Sequence, residues 1–205
     1  MNLSKPFAAL SPSVDLEVLI VLANSTVLRS GRELARRTGR SNTGVQHVLN
    51  RLVDEGLVDR QEAGRAFLYT LNHDHLLAPA VHEIARPRSQ LVHRLRELLG
   101  HWEKPPVHAS LFGSAARGDG DASSDIDVLI VRPDDLDVDD EEWRGALEHL
   151  AERICRWTGN HAGVVEISEV ELPSLRRRHP AVVDEVRADA IDLIGEPARR
   201  LLANV

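Results

Sequence analysis

The chain reads as an α+β protein built from two modules, and three observations carry that reading. Residues 1–72 hold three helical patterns followed by a short hairpin. Residues 107–131 run strand, Gly-Ser turn, helix start, polar loop and strand. Charge is unevenly placed: residues 1–72 hold 9 basic and 7 acidic side chains, whereas residues 107–205 hold 11 and 21. Such asymmetry fits modules with different partners. The expected division is residues 1–75, linker helices over 76–104, and a second module over 105–205. At 205 residues and 42% hydrophobic content the chain can bury two cores.

Residues 1–13 read as a loose start broken by Pro6 and Pro12. Val14–Ala23 places Leu16, Leu19, Ile20 and Ala23 on one helical face. Gly31–Thr38 turns Leu34 and Ala35 inward and Arg32, Arg36 and Arg37 outward. After the Gly39-Arg40 turn, Ser41 is the N-cap of a helix reaching about Glu55. Its Val45, Val48, Leu49 and Leu52 follow the i, i+3, i+4, i+7 rule, and Gly56 ends it. Leu57–Arg60 and Ala66–Leu71 form a hairpin around Gly64-Arg65. Leu76–Leu99 is helical with a break at Pro87, and Leu91, Leu95 and Leu98 give it an apolar side.

Val107, Ala109 and Leu111 alternate with polar residues, as in a half-buried strand. Gly113 permits a tight turn and a close approach, and Ser114 opens a helix. Asp125 and Asp127 leave the same face of the next strand, while Ile126, Val128 and Ile130 point into a core. Two such acids repel each other, a cost that a divalent cation removes. The acidic run Asp134–Glu142 reads as a solvated loop leading into a helix with Trp143, Leu147, Leu150, Ala151 and Ile154 inward and Gly159 as its end. Gly163–Ile167 is a third strand, Glu171–Arg178 and Ala181–Ala188 are helices, Ala190–Ile194 is a last strand and Pro197–Ala203 a terminal helix. The order predicts a small mixed sheet with helices on one side.

Three helices and a two-stranded wing resemble a winged helix-turn-helix domain, which implies DNA binding through the helix after Ser41. Asn42, Thr43, Gln46, His47 and Asn50 are hydrogen-bonding types suited to base edges. Arg40 and Arg51 suit phosphates, as do Arg36 and Arg37, and Arg65 sits at the wing tip. A solvated face on a dimerising module is the alternative.

Gly113-Ser114, Arg117-Gly118 and Ser124-Asp125-Ile126-Asp127 on an apolar strand resemble the polymerase beta-like nucleotidyltransferase superfamily, in its minimal bacterial branch. The resemblance spans about residues 107–195. It implies two Mg²⁺ ions, replaceable by Mn²⁺, held by Asp125 and Asp127, and a triphosphate held by Gly113, Ser114 and Arg117. It implies a third carboxylate on a neighbouring strand, for which Glu166 is the candidate. The substrates implied are a nucleoside triphosphate and a hydroxyl acceptor: a protein such as a partner toxin, a tRNA end or a small molecule. The DNA-binding module suits autoregulation of an antitoxin operon. The alternative is a transcriptional regulator whose second module only senses a nucleotide.

Other chemistries are poorly served. The single cysteine, Cys155, excludes an internal disulfide and a cysteine-based zinc site. The ten histidines show no His-Glu-x-x-His pattern. Asp119, Asp121, Ser123 and Asp125 are spaced like a calcium loop, but Ser124 and Ile130 stand where that loop needs glycine and glutamate. Arg176-Arg177-Arg178-His179 reads as a solvated helix face. No apolar run spans a membrane and no signal peptide is evident, so a cytoplasmic location is expected, with dimerisation through the linker helix a further expectation.

Overall fold

Pro87 lies where two separately packed units meet in the sequence: one is Lys5–Pro87, and the other begins at Arg88 and takes in the first residues. A computed structural model describes residues 1–2 and 5–202, without the side chains of Pro6, Phe7 and Arg176. Ala203, the expected end of the last helix, and the Arg176 side chain therefore lie outside the described residues.

In the first unit, residues 6–9 form a single 3₁₀ turn. Helix α1 (Val14–Ala23) starts where the Ser13 hydroxyl accepts the Leu16 N–H. A two-residue strand β1 (Arg29–Ser30) leads into α2 (Gly31–Thr38), capped by Ser30 and closed by Gly39 at φ +67°. Helix α3 (Asn42–Asp54) is capped by Ser41, whose Oγ accepts from the Gly44 N–H. Their apolar faces meet in one core that includes Val18, Leu22, Leu34, Val45, Leu49 and Tyr69. Strands β2 (Val58–Ala63) and β3 (Ala66–Leu71) pair antiparallel, with β1 on the far side of β3. The hairpin runs three residues past the expected Arg60, because Gln61, Glu62 and Ala63 lie on an exposed edge strand and show no apolar alternation. Helix α4 (Ala78–Ala85) buries Ala78 and Val81 in this same core.

Helix α5 (Pro87–Gly100) opens at the boundary and from Arg88 onward belongs to the second unit. Then follow β4 (His108–Phe112), the five-residue α6 (Gly113–Arg117), β5 (Ile126–Arg132), α7 (Glu141–Thr158) and β6 (Ala162–Ser168). Helices α8 (Leu172–Arg178) and α9 (Pro180–Asp189), strand β7 (Ile191–Gly195) and α10 (Ala198–Leu201) complete it. The sheet order is β6-β5-β4-β7, with β5 and β6 parallel and the other pairs antiparallel.

Helices cover both faces of this sheet, not one as the sequence predicts. Ile126, Val128 and Ile130 pack under α5 and α7, whereas Leu129 and Val131 pack under α8, α9 and α10. A strand buried on both sides loses the alternation that marks a half-solvated one. Strand β4 makes the same point: all five residues are buried, His108 and Ser110 included. The buried His108 ring donates from Nδ1 to the Glu196 carbonyl at 2.6 Å, and its Nε2 accepts from Ser110 Oγ at 3.0 Å. Burial holds its pKa below the ordinary histidine value, which leaves it neutral and able to serve both partners. The polar identities that suggest solvent are thus satisfied inside the core.

Candidate functional site

Strand β5 opens at Ile126, so Asp127 is its second residue and Asp125 sits just before it. In register, Asp127 lies opposite Phe112 of β4 and Gly163 of β6. Its carboxylate occupies a notch bounded by two glycines. A β-carbon on Gly113 would lie 2.8 Å from Asp127 Oδ2, and one on Gly163 would lie 2.5 Å from Oδ1. Gly113 also has φ +66°, which side-chain-bearing residues rarely adopt. A side chain at either place would push against these carboxylate oxygens, and at Gly113 it would also strain the backbone. Burial raises the Asp127 pKa above its ordinary value, with the charges of Asp125 and Glu185 adding to it and Arg117 opposing.

Ser114 follows in α6, one residue beyond the notch. Its carbonyl collects the N–H groups of Gly118 at 2.8 Å, Asp119 at 3.1 Å and Gly120 at 3.3 Å. Gly120 is buried against the serine: a β-carbon there would sit 2.8 Å from Ser114 Oγ. The loop is then set by Asp121, whose Oδ1 accepts from Ser123 N at 2.8 Å, Ser123 Oγ at 2.7 Å and Ser124 N at 3.0 Å. These bonds hold the Asp121 carboxyl below the usual range. Asp121 is exposed, and its carboxylate organises the loop. Asn160 completes the brace by donating to the carbonyls of Asp121 at 3.1 Å and Ser124 at 2.8 Å. It ties the turn after α7 to the segment that delivers Asp125. An asparagine after Gly159 carries no sequence signal of that role.

Arg117 donates to Asp189 at 2.7 Å and to Asp119 at 3.1 Å. It is near enough to Asp127 to stabilise its charge, yet its guanidinium is engaged by two acids.

The structure does not bring Glu166 to the pair. Glu166 is in register with Ile130, on the sheet face opposite to Asp127, and Arg132 Nε donates to it at 2.7 Å. Arg132 is 8% exposed, so Glu166 answers a nearly buried cation. The strand stands where the sequence predicts, but its register differs: Asp127 faces Gly163, and three residues on the side chain has changed face. The acid that does reach the notch is Glu185 of α9. Its Oε2 lies 3.2 Å from the point a Gly113 β-carbon would occupy. No sequence spacing relates it to Asp127.

These donors are all oxygens, the chemistry that Mg²⁺ prefers. Among the described residues no three His, Cys, Asp or Glu side chains already stand close enough together to hold a metal ion. Mg²⁺ is commonly held by one or two carboxylates, with substrate phosphates and water completing its shell. The glycine-walled notch and the Asp125–Asp127 pair fit that mode.

In the other unit, Asn42, Thr43, His47, Asn50 and Arg51 are exposed along α3, and Arg65 is exposed at the wing tip. Gln46 donates to Tyr69 Oη at 2.9 Å and to Asn50 Oδ1 at 3.2 Å, linking helix to wing. With Asn42, Arg32, Arg65 and Phe67 it lines a groove of about 550 Å³. Three of the expected phosphate contacts are engaged at home, Arg37 with Glu33 at 3.1 Å among them. Arg40 grips Glu17 in a two-pronged pair at 2.6 and 2.7 Å, and Arg51 pairs with Asp15. Arg178 of the basic run likewise pairs with Glu171 at 2.7 Å. No helix among the described residues is long and apolar enough to cross a membrane.

Comparison with known proteins gives two family matches. A model described as "Nucleotidyltransferase domain" matches residues 89–194, just over half of the chain. One described as "Sugar-specific transcriptional regulator TrmB" matches residues 13–73. No curated protein matches. Among solved structures, a predicted DNA-binding transcriptional regulator from E. coli is 29% identical over 42% of this chain and 83% of its own, with a TM-score of 0.33. A toxin–antitoxin complex with AMP-PNP is 20% identical over 55% of this chain and 81% of its own, with a TM-score of 0.37. A point mutant of Lactococcus lactis ZitR is 21% identical over 43% of this chain and 60% of its own, with a TM-score of 0.34.

Proposed function

Because this chain belongs to the nucleotidyltransferase domain family and carries a TrmB-like winged helix-turn-helix before that domain, we propose that it transfers a nucleoside monophosphate from a nucleoside triphosphate to a hydroxyl acceptor, with DNA binding by the first unit. The observation that carries the reading is the notch where Asp127, Asp125 and the Gly113-Ser114 turn converge. Gly113 lets a phosphate approach the backbone, and the Ser114 hydroxyl lies at the first turn of α6 to receive its oxygens. Asp125 and Asp127 gather negative charge on a rigid strand end. Divalent cations such as Mg²⁺ or Mn²⁺, when bound there, neutralise the triphosphate and favour the departure of pyrophosphate. In the reaction the acceptor oxygen gives up its proton to solvent and bonds to the α-phosphorus, and the bond to the bridging oxygen breaks with its electron pair leaving on pyrophosphate. The strand ends and the loop braced by Asn160 contribute mainly placement.

The acceptor class proposed is a protein hydroxyl, such as that of a partner toxin, with a tRNA end or a small molecule as the competing acceptors. DNA binding on the same chain would couple that modification to control of its own operon. A second reading, a nucleotide sensor without transfer, is favoured by one observation: Arg117 is held by Asp119 and Asp189 rather than turned to the notch.

The test is incubation with α-labelled nucleoside triphosphates, Mg²⁺ or Mn²⁺, and candidate acceptors. Transfer by the natural chain that falls by at least about a thousandfold in the Asp125→Ala/Asp127→Ala variant is expected, the scale at which loss of charge stabilisation acts. Nucleotide binding without transfer to any acceptor would replace this reading with the sensor.

A further inference from the structure

Glu185 is an acid at the mouth of the notch for which the reaction above has no role, and the fold sets its place. Val183 and Val186, on either side of it in α9, are 0% and 1% exposed and pack with Phe112, Leu129 and Val131. That packing holds α9 on the same sheet face as Asp127. Glu185 Oε2 then lies 3.2 Å, and Asp127 Oδ2 2.8 Å, from one and the same point, the missing β-carbon of Gly113.

The surrounding acids divide into two groups. Asp119 and Asp189 hold Arg117, Asp121 accepts from Ser123 and Ser124, and Glu166 holds Arg132. Asp125, Asp127 and Glu185 have no ion-pair partner among the described residues. Strand β6 adds no acid to them, because the residues it turns to the Asp127 face are Gly163, Val165 and Ile167. The β6 position directly beside Asp127 is a glycine, which keeps the space open. Unpaired like charges at this spacing raise the energy of the ligand-free fold, and a bound cation reverses the sign of that interaction.

We propose that Glu185 supplies the third carboxylate of the cation site, entering from helix α9 instead of from strand β6. The inference rests on the nucleotidyltransferase reading and identifies which residue completes that site. Glu185 is exposed, and its side chain has the rotational freedom to close on a cation beside Asp127.

The experiment measures Mn²⁺ binding by electron paramagnetic resonance on the full chain without nucleotide, alongside the transfer assay. Glu185→Gln is expected to weaken Mn²⁺ binding by about tenfold or more, the scale of losing a side chain that tunes a metal site. Glu185→Asp should recover part of that loss. Glu166→Gln should leave Mn²⁺ binding unchanged. Unchanged or tighter Mn²⁺ binding in Glu185→Gln, with Asp127→Asn losing it, overturns the assignment while the proposed activity stands. If the natural chain transfers nothing, the proposed function fails, and the Mn²⁺ titration still decides whether Glu185 belongs to the site.

Discussion

Asp127 shows how a single residue can be held in the fold at a cost to stability. Its folded pKa stands above the ordinary value because of burial first, and then because of Asp125 and Glu185. The unfolded chain therefore ionises this group at a lower pH than the folded chain does. Below the unfolded value the residue costs nothing; as pH rises through the raised folded value, stability is lost. At neutral pH the group is a liability to the fold. Asp127→Asn should therefore raise the melting temperature at pH 7, by roughly 2–4 °C if the relief is about 1 kcal/mol. The gap should shrink near pH 4, and also on adding Mg²⁺ to the natural chain if the proposed site takes it in the native state. A scanning-fluorimetry series in pH and Mg²⁺ checks it, and a lower melting temperature in the variant would contradict it.

The turn before helix α3, α3 itself and the β2–β3 wing divide their polar residues between two jobs. Arg40 serves the fold, since Glu17 is only 8% exposed and would be left without its cation. Asn50 and His47 face outward from α3, and Arg65 stands at the turn between the strands. Base-edge contacts discriminate sequence, whereas phosphate contacts add salt-dependent affinity. His47→Ala and Asn50→Ala should each weaken binding to the cognate operator by about 1–3 kcal/mol relative to random DNA. Arg65→Ala should weaken both alike and flatten the dependence of log affinity on log salt by about 1 unit. Fluorescence anisotropy at several salt concentrations separates the two outcomes. Equal loss on cognate and random DNA for the α3 variants would remove α3 as the reader of sequence.

Among the described residues the first unit rests on one core, and the second on two, one on each face of its sheet. In the second unit the sheet is sandwiched, and Leu129 is fully buried on the face shared with α9. Leu129→Ala should cost about 2–5 kcal/mol, the range for cutting a buried leucine to alanine. It should also reduce transfer out of proportion to the folded fraction, because α9 carries Glu185 to the notch. Urea unfolding and the transfer assay on the folded population test both parts. Stability lost with specific activity intact would show that the notch does not depend on how α9 packs.

Much of this architecture was legible in residue order because its causes are local. The serine cap at 41, the glycine turn at 39, the glycine ends at 56 and 159, and the apolar spacing of Val45, Val48, Leu49 and Leu52 act within one or two helical turns. The Gly113-Ser114 turn and the Asp125/Asp127 spacing are equally local, so the heart of the candidate site could be read directly. Glu166 could not be placed that way, because its face depends on the pairing of β6 with β5. A parallel register is set by packing, and it puts Gly163, not an acid, beside Asp127. The helices on both sheet faces, the Arg40–Glu17 pair and the approach of Glu185 likewise follow from contacts between segments distant in the chain. Local hydrogen bonding and periodicity act over a few residues and are written in the sequence. Register and long-range charge placement arise when separate elements share one core, and the chain had to fold before they could be seen.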